Sequence, residues 1–117
     1  MSKIRHIALL ANDPAALAAF YQKTFGMREV PGDGDGNAIF ISDGYINLAL
    51  IPARGRPEGI FHFGFEVENL EETAQVAVAG GATPPKRVPQ DGRFNEAFIK
   101  DPVGTRVDLS EAGWKMA

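Results

Sequence analysis

The chain has 117 residues, is 44% hydrophobic, carries a formal net charge of −3, and contains no cysteine and two histidines. That length and apolar content suit one domain with its own core, so folding requires neither a disulfide nor a structural metal. The missing cysteines exclude thiolate catalysis and cysteine–zinc sites, and an acidic balance without a basic stripe excludes nucleic acid as the main partner.

Met1-Ser2-Lys3 leads straight into an alternating stretch, Ile4 to Ala11, which predicts a strand. No long apolar run precedes or follows it, so the expectation is a cytoplasmic protein with no membrane partner. Asn12-Asp13-Pro14 offers an N-cap and an early helical proline, and Leu17, Phe20, Tyr21 and Phe25 recur at helical spacing up to Gly26. Met27 to Val30 reads as a short strand and Pro31 to Gly36 as a turn. Ala38–Ser42 and Tyr45–Ile51 read as a hairpin joined at Asp43-Gly44.

Residues 52–59 form a linker, after which the pattern restarts. A strand is predicted over 60–67, a helix from Leu70 to Ala79 stopped by Gly80-Gly81, and a weak strand near Lys86 to Val88. A polar loop spans Pro89 to Arg93. Strands at Phe94–Lys100 and Thr105–Ser110 flank Asp101-Pro102-Val103-Gly104, which has the residue types of a type I turn. Two β-α-β-β-β modules result, about 1–52 and 60–117, too small to stand comfortably alone and expected to pack as a single domain.

The two histidines fall at matching places in these modules, His6 in Ile4-Arg5-His6-Ile7 and His62 in Ile60-Phe61-His62-Phe63. Strands send alternate side chains to opposite faces. Ile7 and Leu9, then Leu48 and Leu50, Phe63 and Phe65, and Val107 and Leu109 take the helix-packed faces. His6, Asn47, His62 and Asp108 all take the other face. A single parity slip would break this set, and none occurs.

On these residues the chain resembles the vicinal oxygen chelate superfamily, which includes glyoxalase I, extradiol dioxygenases, methylmalonyl-CoA epimerase, fosfomycin thiol transferases and bleomycin-binding proteins. The resemblance rests on the paired modules, on His6-Ile7-Ala8 followed by Phe20-Tyr21 and Phe25-Gly26, and on Asp101-Pro102-Val103-Gly104-Thr105-Arg106-Val107-Asp108-Leu109. It implies an α+β fold whose modules form a cupped mixed sheet with helices on the outer face. It also implies neighbouring first and last strands in each module, and a divalent ion held by His6, His62 and Asp108. Asn47, or Ala49 two residues on, takes the fourth place. Two histidines and one carboxylate suit Fe, Mn, Ni, Co or Zn.

The implied activity is that of a small metal-dependent enzyme, a glyoxalase-like lyase or isomerase or a ring-cleaving dioxygenase, acting on neighbouring oxygens of a small-molecule substrate. Two departures shape that expectation. The last ligand is usually glutamate and here is the shorter Asp108, and a neutral Asn47 is a poor proton acceptor. Asn47 and Arg106 are the candidate catalytic side chains, Arg106 either holding an anionic substrate group or pairing with an acid. The alternatives are a metal-free protein that binds a small drug, as bleomycin-binding relatives do, and a fosfomycin-type thiol transferase. The transferases place a hydroxyl where Ala8 stands. Asp33-Gly34-Asp35-Gly36-Asn37 lacks the later glycine and glutamate of a calcium loop. A homodimer is expected, since both modules leave edges to cover.

Overall fold

From His6 on, β1 (Lys3–Ala11) alternates between buried and half-buried residues, with His6, Ala8 and Leu10 on one face and Ile7 and Leu9 on the other. The computed structural model describes residues 1–32, 37–87 and 96–117. The polar loop at 89–93, the first residues of the strand expected from Phe94, the last residue of the weak strand expected to 88, and residues 33–36 of the calcium-like run lie outside these.

α1 (Pro14–Phe25) begins where Asp13 accepts a hydrogen bond from the Ala16 amide at 3.1 Å, with Pro14 in the first turn where its missing N–H costs nothing. It ends at Gly26, whose φ of 74° is the left-handed cap that a side chain would resist. β2 (Arg28–Val30), β3 (Ile39–Ser42) and β4 (Asn47–Pro52) follow. The β3–β4 hairpin closes at Ser42 opposite Asn47, leaving four connecting residues where the sequence suggested a two-residue turn. Asp43 explains the longer loop, since its Oδ1 accepts from both the Tyr45 and Ile46 amides at 2.8 Å.

The second half repeats the plan. β5 (Gly59–Glu66) leads to α2 (Leu70–Ala79), capped by Asn69 accepting from the Glu72 amide at 2.9 Å. β6 (Lys86–Arg87), β7 (Glu96–Lys100) and β8 (Arg106–Ser110) complete it. At the β7–β8 turn Asp101 Oδ1 accepts from the Val103 and Thr105 amides. The eight strands form a mixed sheet, ordered β2-β3-β4-β1 in the first half and β5-β8-β7-β6 in the second. β1 runs parallel to β4, and β5 runs parallel to β8, so the first and last strands of each module are neighbours. Among the described residues no helix is long and apolar enough to cross a membrane.

Spatially the chain divides into two compact units that trade their ends. One holds Met1–Arg5 with His62–Trp114, the other His6–Phe61 with Lys115–Ala117. In the latter, Ala18 of α1 packs on Ile41, Leu48 and Leu50, joined by Ile7, Leu9, Leu17 and Tyr21. In the former, Leu70 of α2 packs with Ile99, Val107 and Leu109, joined by Phe63 and Phe65. These are the helix-packed faces the alternation predicts. The polar residues of the same strands are therefore turned the other way.

Candidate metal centre

In the unit containing His6, the β1–β4 register sets His6 opposite Asn47 and Ala8 opposite Ala49. His6 is 4% exposed and Asn47 1%. Asn47 Oδ1 lies 3.0 Å from His6 Nδ1, and Asn47 Nδ2 donates to the Lys115 carbonyl at 2.9 Å. Both polar atoms of the amide are thus engaged by the protein. Asn47 supports His6.

In the other unit, Gly64 of β5 pairs with Asp108 of β8, so His62 is one strand position pair from the carboxylate and shares its face. His62 Nε2 stands 3.3 Å from Asp108 Oδ2. Arg106 grips the same carboxylate from two residues upstream, Nε to Oδ1 at 2.8 Å and Nη2 to Oδ2 at 3.3 Å. Its guanidinium lies over the Phe98 ring, 4.1 Å from the centroid. Arg106, proposed from sequence either to hold substrate or to pair with an acid, is thus paired with Asp108.

Glu96 adds an acid that the sequence reading passed over. It is buried at the start of β7, opposite Ser110, on the face shared by Phe98 and Asp108. Burial, then its hydrogen bond to Asp108 and the charge there, push its carboxyl up to about 9 against the pull of Arg106. Burial would also raise Asp108, but the hydrogen bond from Glu96, those from Arg106 and the charge of a protonated His62 outweigh it and hold Asp108 below the usual range. Two touching buried carboxyls cannot both ionise cheaply, so the pair carries one proton, on Glu96. Strand parity puts Glu96 on the same face as Phe98 along β7, but only the β7–β8 register sets that face against Asp108.

The register also compares the modules. Asp108 faces Gly64, two residues past His62, while Ala49 faces Ala8, two residues past His6. The place matching Asp108 in the first module is therefore Ala49, and Asn47 matches Arg106. Ala49 offers no donor atom. Of the two registers open from sequence for the fourth place, this pairing favours Ala49.

His62 and Asp108 in one unit and His6 in the other are all buried. Donors on one ion stand ~3 to 3.5 Å apart for bonds near 2.1 Å. The His62–Asp108 separation of 3.3 Å already meets that. Two imidazoles and a carboxylate are a donor set for a borderline divalent ion, so the residues present fit one.

The family model for the Glyoxalase/Bleomycin resistance protein/Dioxygenase superfamily matches residues 3–109. The chain belongs to that superfamily. Among solved structures, a hypothetical protein, BH1468, from Bacillus halodurans C-125 is similar over 99% of this chain and 98% of its own, with a TM-score of 0.77 and 18% identity. A methylmalonyl-CoA epimerase in complex with methylmalonyl-CoA and NH4+ covers 94% of each chain at a TM-score of 0.72 and 19% identity. The epimerase from Mycobacterium tuberculosis covers 92% of this chain and 85% of its own at 0.68 and 17%. At such identities these likenesses concern the fold. Searching curated protein sequences finds no match.

Proposed function

We propose that this chain is a metal-dependent enzyme acting on a small substrate with neighbouring oxygen atoms, its divalent ion held by His6, His62 and Asp108. The observation that carries this reading is a buried imidazole, His62, 3.3 Å from the buried Asp108 carboxylate, with a second buried imidazole, His6, at the matching place of the first module. A divalent ion held there supplies Lewis acidity to the substrate oxygens. The protein's own residues do the rest. Asn47 orients His6, Arg106 orients Asp108, and Glu96 keeps a proton on the Asp108 side of the face. Ala49 at the fourth place leaves the first module without a base, which favours reactions whose proton acceptor comes from the second module or from the substrate. Isomerase chemistry on a thioester, as the names of the epimerase neighbours suggest, is the first class to assay, followed by glyoxalase-type lyase and catechol dioxygenase chemistry.

A second reading has its own support. The paired Arg106 already neutralises Asp108, as it would in a metal-free protein that binds a small drug. Metal analysis of protein purified without added metal, with His62→Ala as control, separates the two. About one equivalent of Fe, Mn, Co, Ni or Zn per wild-type chain, lost in the variant, supports the enzyme. Metal absent from both, with no thermal shift on adding these ions, removes it. We further propose a homodimer, which a light-scattering mass of one chain would overturn.

A further inference from the structure

Asn47 joins two things that the sequence keeps far apart. Its Oδ1 meets the Nδ1 of His6, and its Nδ2 donates to the backbone carbonyl of Lys115. Residues 115–117 belong to the same compact unit as His6 and Asn47. Met116 seats its sulfur 3.6 Å from the Ser42 hydroxyl, and Ser42 is Asn47's partner across the β3–β4 ladder. The Ala117 carbonyl lies near Gly44 in the adjoining loop. Three consecutive residues are therefore laid along the end of one hairpin, and the first of them touches the amide that touches His6.

A peptide carbonyl can only accept a hydrogen bond, whereas a side-chain amide presents an acceptor at one end and a donor at the other. With Lys115 fixed at 2.9 Å, the Asn47 amide has one tolerable orientation, because turning it over would set two oxygens against each other. That orientation aims Oδ1 at the His6 ring. An oxygen acceptor at 3.0 Å requires the proton on Nδ1, and in the neutral ring the lone pair is then on Nε2.

We infer that the segment Lys115–Ala117 is a positioning element for the proposed metal site: the Lys115 carbonyl fixes the Asn47 amide, and Asn47 fixes His6 as its Nδ1–H tautomer, with Nε2 as the ligand atom. The inference rests on the metal-site reading for its purpose but not for its geometry. No side chain of residues 115–117 needs to touch the ion. The control passes through one backbone oxygen, so the side chain of Lys115 is irrelevant to it.

The test reads the tautomer directly. Imidazole nitrogen NMR on 15N-histidine-labelled, chelator-treated protein should show His6 as the Nδ1–H form. A stop after Trp114 should convert it to a mixture. Met116→Asp, which keeps the chain length and lifts the segment off Ser42, should do the same should the truncated chain fold poorly. In an Asn47→Asp background both side-chain oxygens accept, so the Lys115 carbonyl has nothing to orient and the same truncation should leave the tautomer unchanged. Metal affinity should fall about tenfold on truncation in the Asn47 protein, as for loss of a group that orients a ligand. A His6 tautomer unchanged by both truncation and Met116→Asp overturns the inference. Wild-type protein that binds no Zn or Ni while its tautomer responds as expected overturns the metal reading alone.

Discussion

Arg106 and Asp108 stand two residues apart on β8 and are joined twice, Nε to Oδ1 at 2.8 Å and Nη2 to Oδ2 at 3.3 Å. A strand places residues i and i+2 on one face, and here that spacing serves a bidentate grip on a nearly inaccessible carboxylate. Because Asp108 is also the proposed metal ligand, its counter-charge can come from Arg106, from an ion, or from both. Arg106→Met keeps much of the contact with Phe98 and removes the charge. In chelator-treated protein it should cost about 1 to 3 kcal/mol, less than a fully buried pair because Arg106 is partly exposed. Saturating Zn or Ni should recover most of that loss, so the metal-dependent rise in Tm should be larger in the variant than in the wild type. An equal rise in both argues that no ion approaches Asp108.

Glu96 sets a pH dependence that can be checked without metal. Its carboxyl, at about 9 in the folded chain against an ordinary 4.5, keeps its proton where the unfolded chain has lost it. The folded state therefore binds the extra proton, and this contribution to stability is complete below about pH 4.5 and declines as pH rises towards about 9. Asp108, held low, acts in the opposite sense and contributes only above its ordinary range, fading as pH falls below it. Glu96→Gln retains a donor for Asp108 and cannot ionise. Its Tm in chelator-containing buffer should be flatter than the wild type's from about pH 5 to about pH 9. Histidine titration is common to both proteins, so the difference in slope isolates Glu96. Parallel curves would show that Glu96 carries no shifted proton.

Gly64 is a close approach. A Cβ there would meet the Trp114 ring at 2.7 and 3.0 Å and the Asp108 carbonyl at 3.3 Å. Gly64→Ala must therefore push the ring aside, at a cost of about 1 to 3 kcal/mol for overpacking. Trp114 is the only tryptophan, so its emission reports the displacement. A red shift with a lowered Tm is expected. An unchanged spectrum would mean that the indole does not rest on Gly64.

The alternation of β1, β4, β5 and β8 was legible because apolar and polar residues switch at every step, and it turned His6, Asn47, His62 and Asp108 to the face away from the helices. Glu96 was not legible in the same way. A glutamate near a strand's start reads as solvated, and only the pairing of β7 with β8 sets it against Asp108. Cross-strand register is a tertiary property. The same holds for Ala49, since choosing between it and Asn47 needed the pairing of Ala8 with Ala49. Residues 111–117 have neither period, so nothing in them announced that Lys115 would return to Asn47. Polarity on the shared face marked Asn47 and Arg106 as candidates, but not that each touches a ligand candidate, His6 and Asp108 respectively.

Asn47 and Arg106 occupy matching places, as do Ala49 and Asp108, so the first module lacks only a carboxylate to repeat the second's contribution. Ala49→Glu supplies one at a position 1% exposed. Without metal the new carboxylate is buried with no cation assigned to it, since Arg106 serves Asp108, and stability should fall by about 3 kcal/mol or more. A divalent ion held by His6, His62 and Asp108 would meet that charge directly. Zn or Ni should then raise Tm further in the variant than in the wild type, and binding should tighten about tenfold or more, since ligand number and charge both increase. Should the variant unfold unless metal is present from the start, refolding with and without Zn gives the same comparison. A variant that is destabilised and gains nothing from metal would place the ion, if one binds at all, away from the end of β4 that bears Ala49.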